Sequence, residues 1–267
     1  MIPTSDAMLK WLLHISGEQQ LHPKPGRIRL REAVKLDDRA NEIISTFGKK
    51  EFSALVGFVD MQGFSNLVKG KRPREVRNLA APFIESVIGV ARKHQWFIDK
   101  TIGDEVMIVM PFVGIDVQLA DVDLPTWDCW VTALERFVVD LIDALDSTAR
   151  QLRFSASFAL GHLILDQVGC SGFTEWTFYG NCVNASKRLQ CTRPSEDASE
   201  SRSAHWFMLG AIEDEKPYFK RELESWLNIM PQAGLLQLVD TRLEQKEFKG
   251  VGAVCYVAGE PVRKTTT

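Results

Sequence analysis

An apolar run that stops at an acid constrains the fold of this chain more than any other feature. Residues 54–59, ALVGFV, are apolar without a break, and Asp60 follows them directly, ahead of Gly63 and a helix-like stretch. A short continuous apolar run is typical of a strand that is buried on both faces. An acid at the end of such a strand either caps the next helix or binds something positive, and the rest of the sequence has to decide which.

The composition excludes several classes of protein. The chain has 267 residues, 45% of them hydrophobic, so it can bury a large core. A net charge of −3 gives no basic footprint for nucleic acid. The sequence has neither a membrane-spanning apolar run nor a secretory signal, and its five cysteines form no CxxC pair, which indicates free thiols. We therefore expect a soluble cytoplasmic protein with no nucleic-acid or membrane partner.

The hydrophobic periodicity predicts one main domain with appendages. Residues 73–93 carry the stripe of a helix that lies on a core, and residues 127–150 carry a second one. Strand-like runs surround both helices, including a pair that flanks a tight turn at Gly103 and Asp104. The β, α, β, β, α, β order predicts an α+β fold, a ferredoxin-like, antiparallel-rich sheet with helices on one face.

Domain boundaries follow from the same pattern. We predict an N-terminal extension over residues 1–50, with a Pro-containing link at 22–26, and a catalytic domain over 51–260. Within that domain, residues 192–245 are interpreted as an insertion that forms a lid or a dimer contact. Residues 261–267 are expected to form a flexible tail.

Two carboxylates are expected at neighbouring strand ends. Asp60 ends a buried strand, and Asp104 sits in the turn of a hairpin that can pair beside it. Either acid alone is more often a cap or an ordinary turn residue. Together, two carboxylates on one sheet edge are suited to Mg²⁺ or Mn²⁺, which prefer oxygen ligands and keep positions open for phosphate. The pattern favours a metal site for phosphoryl chemistry.

Three stretches make a family resemblance specific. FVDMQGFSNL (58–67), DKTIGDEVMIVMP (99–111) and YGNCVNASKRL (179–189) resemble the signature stretches of class III nucleotidyl cyclases, the adenylate and guanylate cyclase catalytic domain, and occur in the family's order. FKGVGAVCYVAG (248–259) resembles the family's closing strands. The resemblance covers about residues 52–190 and resumes near 248.

The resemblance implies roles for five residues. Asp60 and Asp104 match the two metal-binding aspartates, and Met61 lies where a backbone carbonyl assists, so two Mn²⁺ or Mg²⁺ ions are expected in each active site. Asn184 matches the asparagine that orients the ribose. Arg188 matches the arginine that stabilises charge at the α-phosphate, and its i, i+4 spacing from Asn184 puts both on one helix face.

The sequence supports two hypotheses for the base of the nucleotide substrate. Phe58, Lys100, Thr177 and Phe178 are the predicted substrate-binding residues. Lys100 with Thr177 resembles a subset of adenylate cyclases, whereas a ring at Phe178 would narrow the pocket towards a pyrimidine, unless Phe178 points into the core. We favour a pyrimidine, UTP ahead of CTP, with ATP as the alternative.

The resemblance also implies partners. Family members place each active site across a head-to-tail dimer, and this chain carries both halves of the site, so a homodimer is expected. The chain has no recognisable sensor domain and is similar to the stand-alone Pycsar pyrimidine cyclases of bacterial anti-phage defence, whose cyclic UMP or cyclic CMP acts on a separate effector. The other alternative is a degenerate domain that only binds nucleotide.

Overall fold

The structure, a computed structural model, describes residues 48–111, 130–148, 152–170, 173–192, 205–212, 223 and 236–263. The predicted link at 22–26 lies outside these residues, as does most of the predicted insertion at 192–245. The chain divides into two compact units. The smaller unit contains the described residues 48–51 with Ile164–Tyr179, and the larger contains the described parts of Phe52–Leu163 and of Gly180–Thr267.

The described residues form four helices and eight strands. In chain order they are β1 (Glu51–Met61), α1 (Phe64–Val68), α2 (Pro73–Lys93), β2 (Phe97–Ile102), β3 (Glu105–Pro111), α3 (Trp130–Asp146), β4 (Phe154–Cys170), β5 (Phe173–Tyr179), α4 (Asn181–Gln190), β6 (Trp206–Ile212), β7 (Leu236–Phe248) and β8 (Gly252–Arg263). Among the described residues, no helix is long and apolar enough to span a membrane.

The strand order confirms the predicted α+β fold. Seven strands follow the order β2-β3-β1-β4-β6-β8-β7. The first four are the ferredoxin-like arrangement, in which β1 and β3 pair antiparallel and a helix follows each of them. β6 then pairs parallel with β4, which requires a crossover connection, and α4 lies within it.

The core lies between the sheet and the helices α2 and α3. Phe83 of α2 and Phe137 of α3 are fully buried, and Phe137 stacks on Trp96 with ring centroids 4.1 Å apart. Phe158 of β4 meets both Trp96 and Phe137 edge-on. Each such side chain contributes about 1.5–3 kcal/mol by leaving water. The two helical stripes predicted from the sequence are the faces that make this core.

The N-terminus of helix α2 is capped by the side chain of its own Glu75. The side chain of Glu75 accepts the backbone N–H of Arg72 at 2.9 Å, and Pro73 occupies the first turn, where its missing N–H costs nothing. The true start of the helix is therefore Pro73. The helix continues through Pro82.

Two parts of the predicted layout need correction. The helices do not all lie on one face of the sheet. Phe158 of β4 faces the core with α2 and α3, so its neighbour Ser157 faces the opposite side of the sheet. Helix α4 packs near Ser157, where the Oγ of Ser186 donates to the Ser157 carbonyl at 2.8 Å. The stretch 192–245, interpreted as an insertion, contains β6, which pairs with both β4 and β8. β8 also continues to Arg263, past the predicted domain end at residue 260.

A buried histidine lies at the start of β6. The ring Nδ1 of His205 accepts the backbone N–H of Phe154 at 3.3 Å. Burial, and then the positive charge of Arg153, lower the pKa of His205 from 6.5 to about 4, although Asp146 opposes this shift. The imidazole is therefore neutral at physiological pH, the state in which Nδ1 can accept.

Candidate active site

The two predicted metal acids lie at the same end of adjacent strands. In the antiparallel pair β1 and β3, Val59 lies opposite Val106. Asp60 follows Val59, and Asp104 comes two residues before Val106, in the turn between β2 and β3. Gly103 opens this turn with φ of 66°, as a two-residue hairpin turn requires at its first position. Both acids are half-buried.

A β-bulge in β2 determines where Lys100 points. Ile98 pairs with Ile108 and Lys100 with Met107, so Asp99 is the extra residue. Phe58 also pairs with Met107, and residues paired across strands share a face. The bulge therefore brings Lys100 to the face of Phe58, away from α2 and α3. Asp99, whose side chain is 2% exposed, lies 3.1 Å from the Lys100 amino group.

Helix α4 carries the predicted ribose and phosphate residues. The side chains of Asn184 and Arg188 are exposed and one helical turn apart. The helix starts after Gly180, where an added Cβ would lie 2.2 Å from the carbonyl oxygen of His162. The sequence needs glycine here because α4 begins in direct contact with the backbone of β4.

A set of contacts that the motifs do not predict ties α4 to β1 and β3. The Lys187 amino group forms an ion pair with Glu105, the first residue of β3, and lies 5.4 Å from the centroid of the Phe58 ring. It also donates to the side-chain oxygen of Gln190 at 3.1 Å. The Gln190 amide in turn donates to the carbonyl of Phe58 at 3.3 Å. The helix that bears Arg188 is thus attached to the strands that bear the acids.

Thr177 and Phe178 lie in the smaller unit. In β5 they pair with Asp166 and Leu165 of β4. Both side chains are buried within the chain. Of the nine predicted site residues, the larger unit therefore holds seven: Phe58, Asp60, Met61, Lys100, Asp104, Asn184 and Arg188.

The oxygen donors fit a hard divalent cation. Asp60 and Asp104 supply carboxylates, and the Met61 side chain is packed in the core, so only its backbone carbonyl could join them. Mg²⁺ and Mn²⁺ prefer such oxygen ligands and keep positions for phosphate or water. Within the described residues, no group of three or more His, Cys, Asp or Glu side chains could hold a metal by itself. The donor set suits an ion shared with a bound triphosphate.

Solved cyclase domains are similar to this chain in fold. The guanylyl cyclase Cya2 matches with a TM-score of 0.56 and 15% identity, over 80% of this chain and 93% of that one. The guanylate cyclase domain of RhGC from Catenaria anguillulae, in complex with GTP, matches with a TM-score of 0.53 and 18% identity, over 80% and 100%. The adenylyl cyclase CyaB from P. aeruginosa matches with a TM-score of 0.53 and 16% identity, over 81% and 96%.

These matches define the class of fold. The chain has the fold of class III nucleotidyl cyclase catalytic domains. No protein-family model matches the chain, and no curated protein matches it in sequence. The family resemblance of the three sequence stretches is therefore supported by the fold.

Proposed function

We propose that the protein is a metal-dependent nucleotidyl cyclase, with a catalytic domain that begins at residue 51 and runs to the end of β8 at Arg263. It would convert a nucleoside triphosphate to the 3′,5′-cyclic nucleotide and pyrophosphate. One observation carries the proposal. On a cyclase fold, Asp60 and Asp104 lie at the same end of the paired strands β1 and β3.

The proposed mechanism is largely one of positioning and charge neutralisation. The carboxylates of Asp60 and Asp104 would hold the two Mn²⁺ or Mg²⁺ ions, and these ions would stabilise the negative charge of the triphosphate. Asn184 orients the ribose by hydrogen bonding. The ribose 3′-OH attacks the α-phosphorus in line, its proton passes to solvent water, and pyrophosphate leaves. The Arg188 guanidinium neutralises the charge that develops on the α-phosphate oxygens.

We also propose that the active site is shared by two protomers. Asn184 and Arg188 of one protomer would act on a nucleotide held by the partner's Asp60 and the partner's Asp104. The exposure of the Asn184 and Arg188 side chains supports this arrangement, because they are accessible to a second copy. A head-to-tail homodimer then has two equivalent sites.

For the base we propose a pyrimidine, UTP ahead of CTP. The reason is the aromatic ring of Phe178, beside Thr177, which would reduce the room for a purine. The product, cyclic UMP, would act in the cytoplasm on a separate effector in anti-phage defence, as in the pyrimidine cyclases that the chain resembles. A second candidate is adenylate cyclase, and the bulge that brings Lys100 to the face of Phe58 favours it.

The experiment offers ATP, GTP, CTP and UTP separately to the purified protein with Mn²⁺ and resolves products by mass. A cyclic pyrimidine nucleotide, absent with an Asp60→Asn, Asp104→Asn double variant, is the expected result. Cyclic AMP as the product would show that the base is adenine, as the pair of Lys100 and Thr177 indicates. Nucleotide binding without any cyclic product would reject the cyclase proposal and favour a binding-only domain.

A further inference from the structure

The Glu105 carboxylate lies next to the two predicted metal ligands, Asp60 and Asp104. It follows Asp104 directly, and continuing the β1–β3 register by one residue places it opposite Asp60. Its side chain is only 7% exposed. A buried carboxylate is costly unless a positive partner is present. The partner here is the amino group of Lys187.

The side chain of Lys187 extends from α4 to the sheet. Lys187 directly precedes Arg188 and lies three residues after Asn184, and its amino group contacts Glu105 of β3 and the ring of Phe58 of β1. Its side chain remains 52% exposed, so burial does not force this direction. The Gln190 side chain links Lys187 to β1, because it accepts a hydrogen bond from the Lys187 amino group and donates one to the backbone carbonyl of Phe58.

These contacts restrain the rotation of α4. A helix turns about 100° per residue, so a fixed direction for Lys187 also fixes the direction in which Arg188 leaves the helix. The restraint acts on two strands at once, through Glu105 of β3 and Phe58 of β1. A charged group that must meet a transition state tolerates little misplacement, since about 1 Å can cost about 10²-fold in rate.

We propose that Lys187 and Glu105 are a positioning pair that orients α4, and with it Arg188, for phosphoryl transfer. The inference rests on the proposed cyclase function. Neither residue needs to touch the nucleotide. Their role is to fix the direction in which the arginine helix presents Arg188 to the nucleotide that the partner's acids would hold.

The variants separate charge from shape. Lys187→Met keeps an unbranched side chain and removes the charge, and Glu105→Gln keeps the shape of the acid. Each should lower kcat about 10- to 100-fold with the nucleotide KM within about threefold, because the loss is made in the transition state. The double variant should be no worse than the worse single variant, since the two side chains act through each other.

Two controls accompany these variants. Lys187→Arg keeps the charge and should retain activity within about fivefold, because an arginine can still reach and pair with a carboxylate. Lys93→Met breaks a surface ion pair with Asp140, 2.8 Å long and outside the three motif stretches, and should leave kcat unchanged.

Several results would overturn the positioning role. They are additive losses in the double variant, an unchanged kcat in both single variants, or a fall in thermal stability alone. If the wild-type protein forms no cyclic nucleotide, the proposed function fails. In that case the restraint on α4 is tested by measuring amide hydrogen exchange of residues 181–190, without nucleotide, in the wild-type protein and in both single variants. Faster exchange in Lys187→Met and Glu105→Gln supports the restraint on α4, and unchanged exchange refutes it.

Discussion

The substitution Gly180→Ala tests how closely α4 is packed against β4. Gly180 has φ of 170°, an extended conformation that alanine adopts freely, so the backbone itself is not strained. The new methyl group, however, would lie 2.2 Å from the carbonyl oxygen of His162 and 2.8 Å from Cδ2 of Leu163. A side chain can rotate away from such a contact, but a strand carbonyl in the sheet cannot. The start of α4 has to move by about 1 Å to restore a normal contact.

The expected cost has two parts. Overpacking of this kind destabilises a protein by about 1–3 kcal/mol, which corresponds to a fall in Tm of roughly 2–12 °C for a domain of this size. A shift of about 1 Å in the helix that carries Asn184 and Arg188 should lower kcat about 10²-fold. The assay is initial-rate formation of cyclic nucleotide from the preferred triphosphate, together with thermal unfolding of the same samples.

Gly89→Ala is the matched control. Gly89 lies in α2, and an added Cβ there meets nothing within 4 Å. Alanine should stabilise that helix by about 0.5–1 kcal/mol and leave kcat unchanged. If Gly180→Ala proves as active and as stable as Gly89→Ala, α4 does not begin against the β4 backbone, and the reasoning about its fixed position is wrong.

Three further predictions follow from other contacts. Gly57→Ala places a methyl group 2.4 Å from the Phe158 ring and should cost about 1–3 kcal/mol in urea unfolding. The pKa of His205 is near 4 in the folded protein and 6.5 as its ordinary value, so between these two pH values the unfolded chain binds a proton that the folded protein does not. The free energy of unfolding should therefore fall by roughly 3 kcal/mol as the pH drops from 6.5 to 4. His205→Gln should make the stability less dependent on pH in this range. Arg188→Ala should lower kcat about 10³-fold, whereas Arg74→Ala, an exposed arginine of α2, should not change it.

The first half of the fold could be predicted because its signals are local. Apolar runs and helical stripes between residues 52 and 166 correspond to β1, α2, β2, β3, α3 and most of β4. β6 was missed although WFMLGAI is a continuous apolar run, because the polar stretch before it suggested an insertion. β5, FTEWTFY, mixes polar and apolar residues without a clear alternation and gave no strand signal.

The candidate site divides along a similar line. The sequence places Asp60 at a strand end and Asp104 in a turn, because both follow from short motifs. It gives no sign of the Lys187–Glu105 pair, whose members are 82 positions apart and meet only through the packing of α4 on the sheet. The bulge at Asp99 depends on the register of β2 against β3, which a motif does not specify.

The central claim is that the acids of one protomer and Arg188 of the other form one nucleotide-cyclising site. The most direct test mixes two variants by coexpression, Asp60→Asn with Asp104→Asn in one chain and Arg188→Ala in the other. Each variant alone should be nearly inactive. Because about half of randomly assembled dimers are mixed and each mixed dimer has one intact site, the mixture should recover about one quarter of wild-type activity. An inactive mixture beside an active wild-type protein, with mixed dimers present, would contradict the shared site.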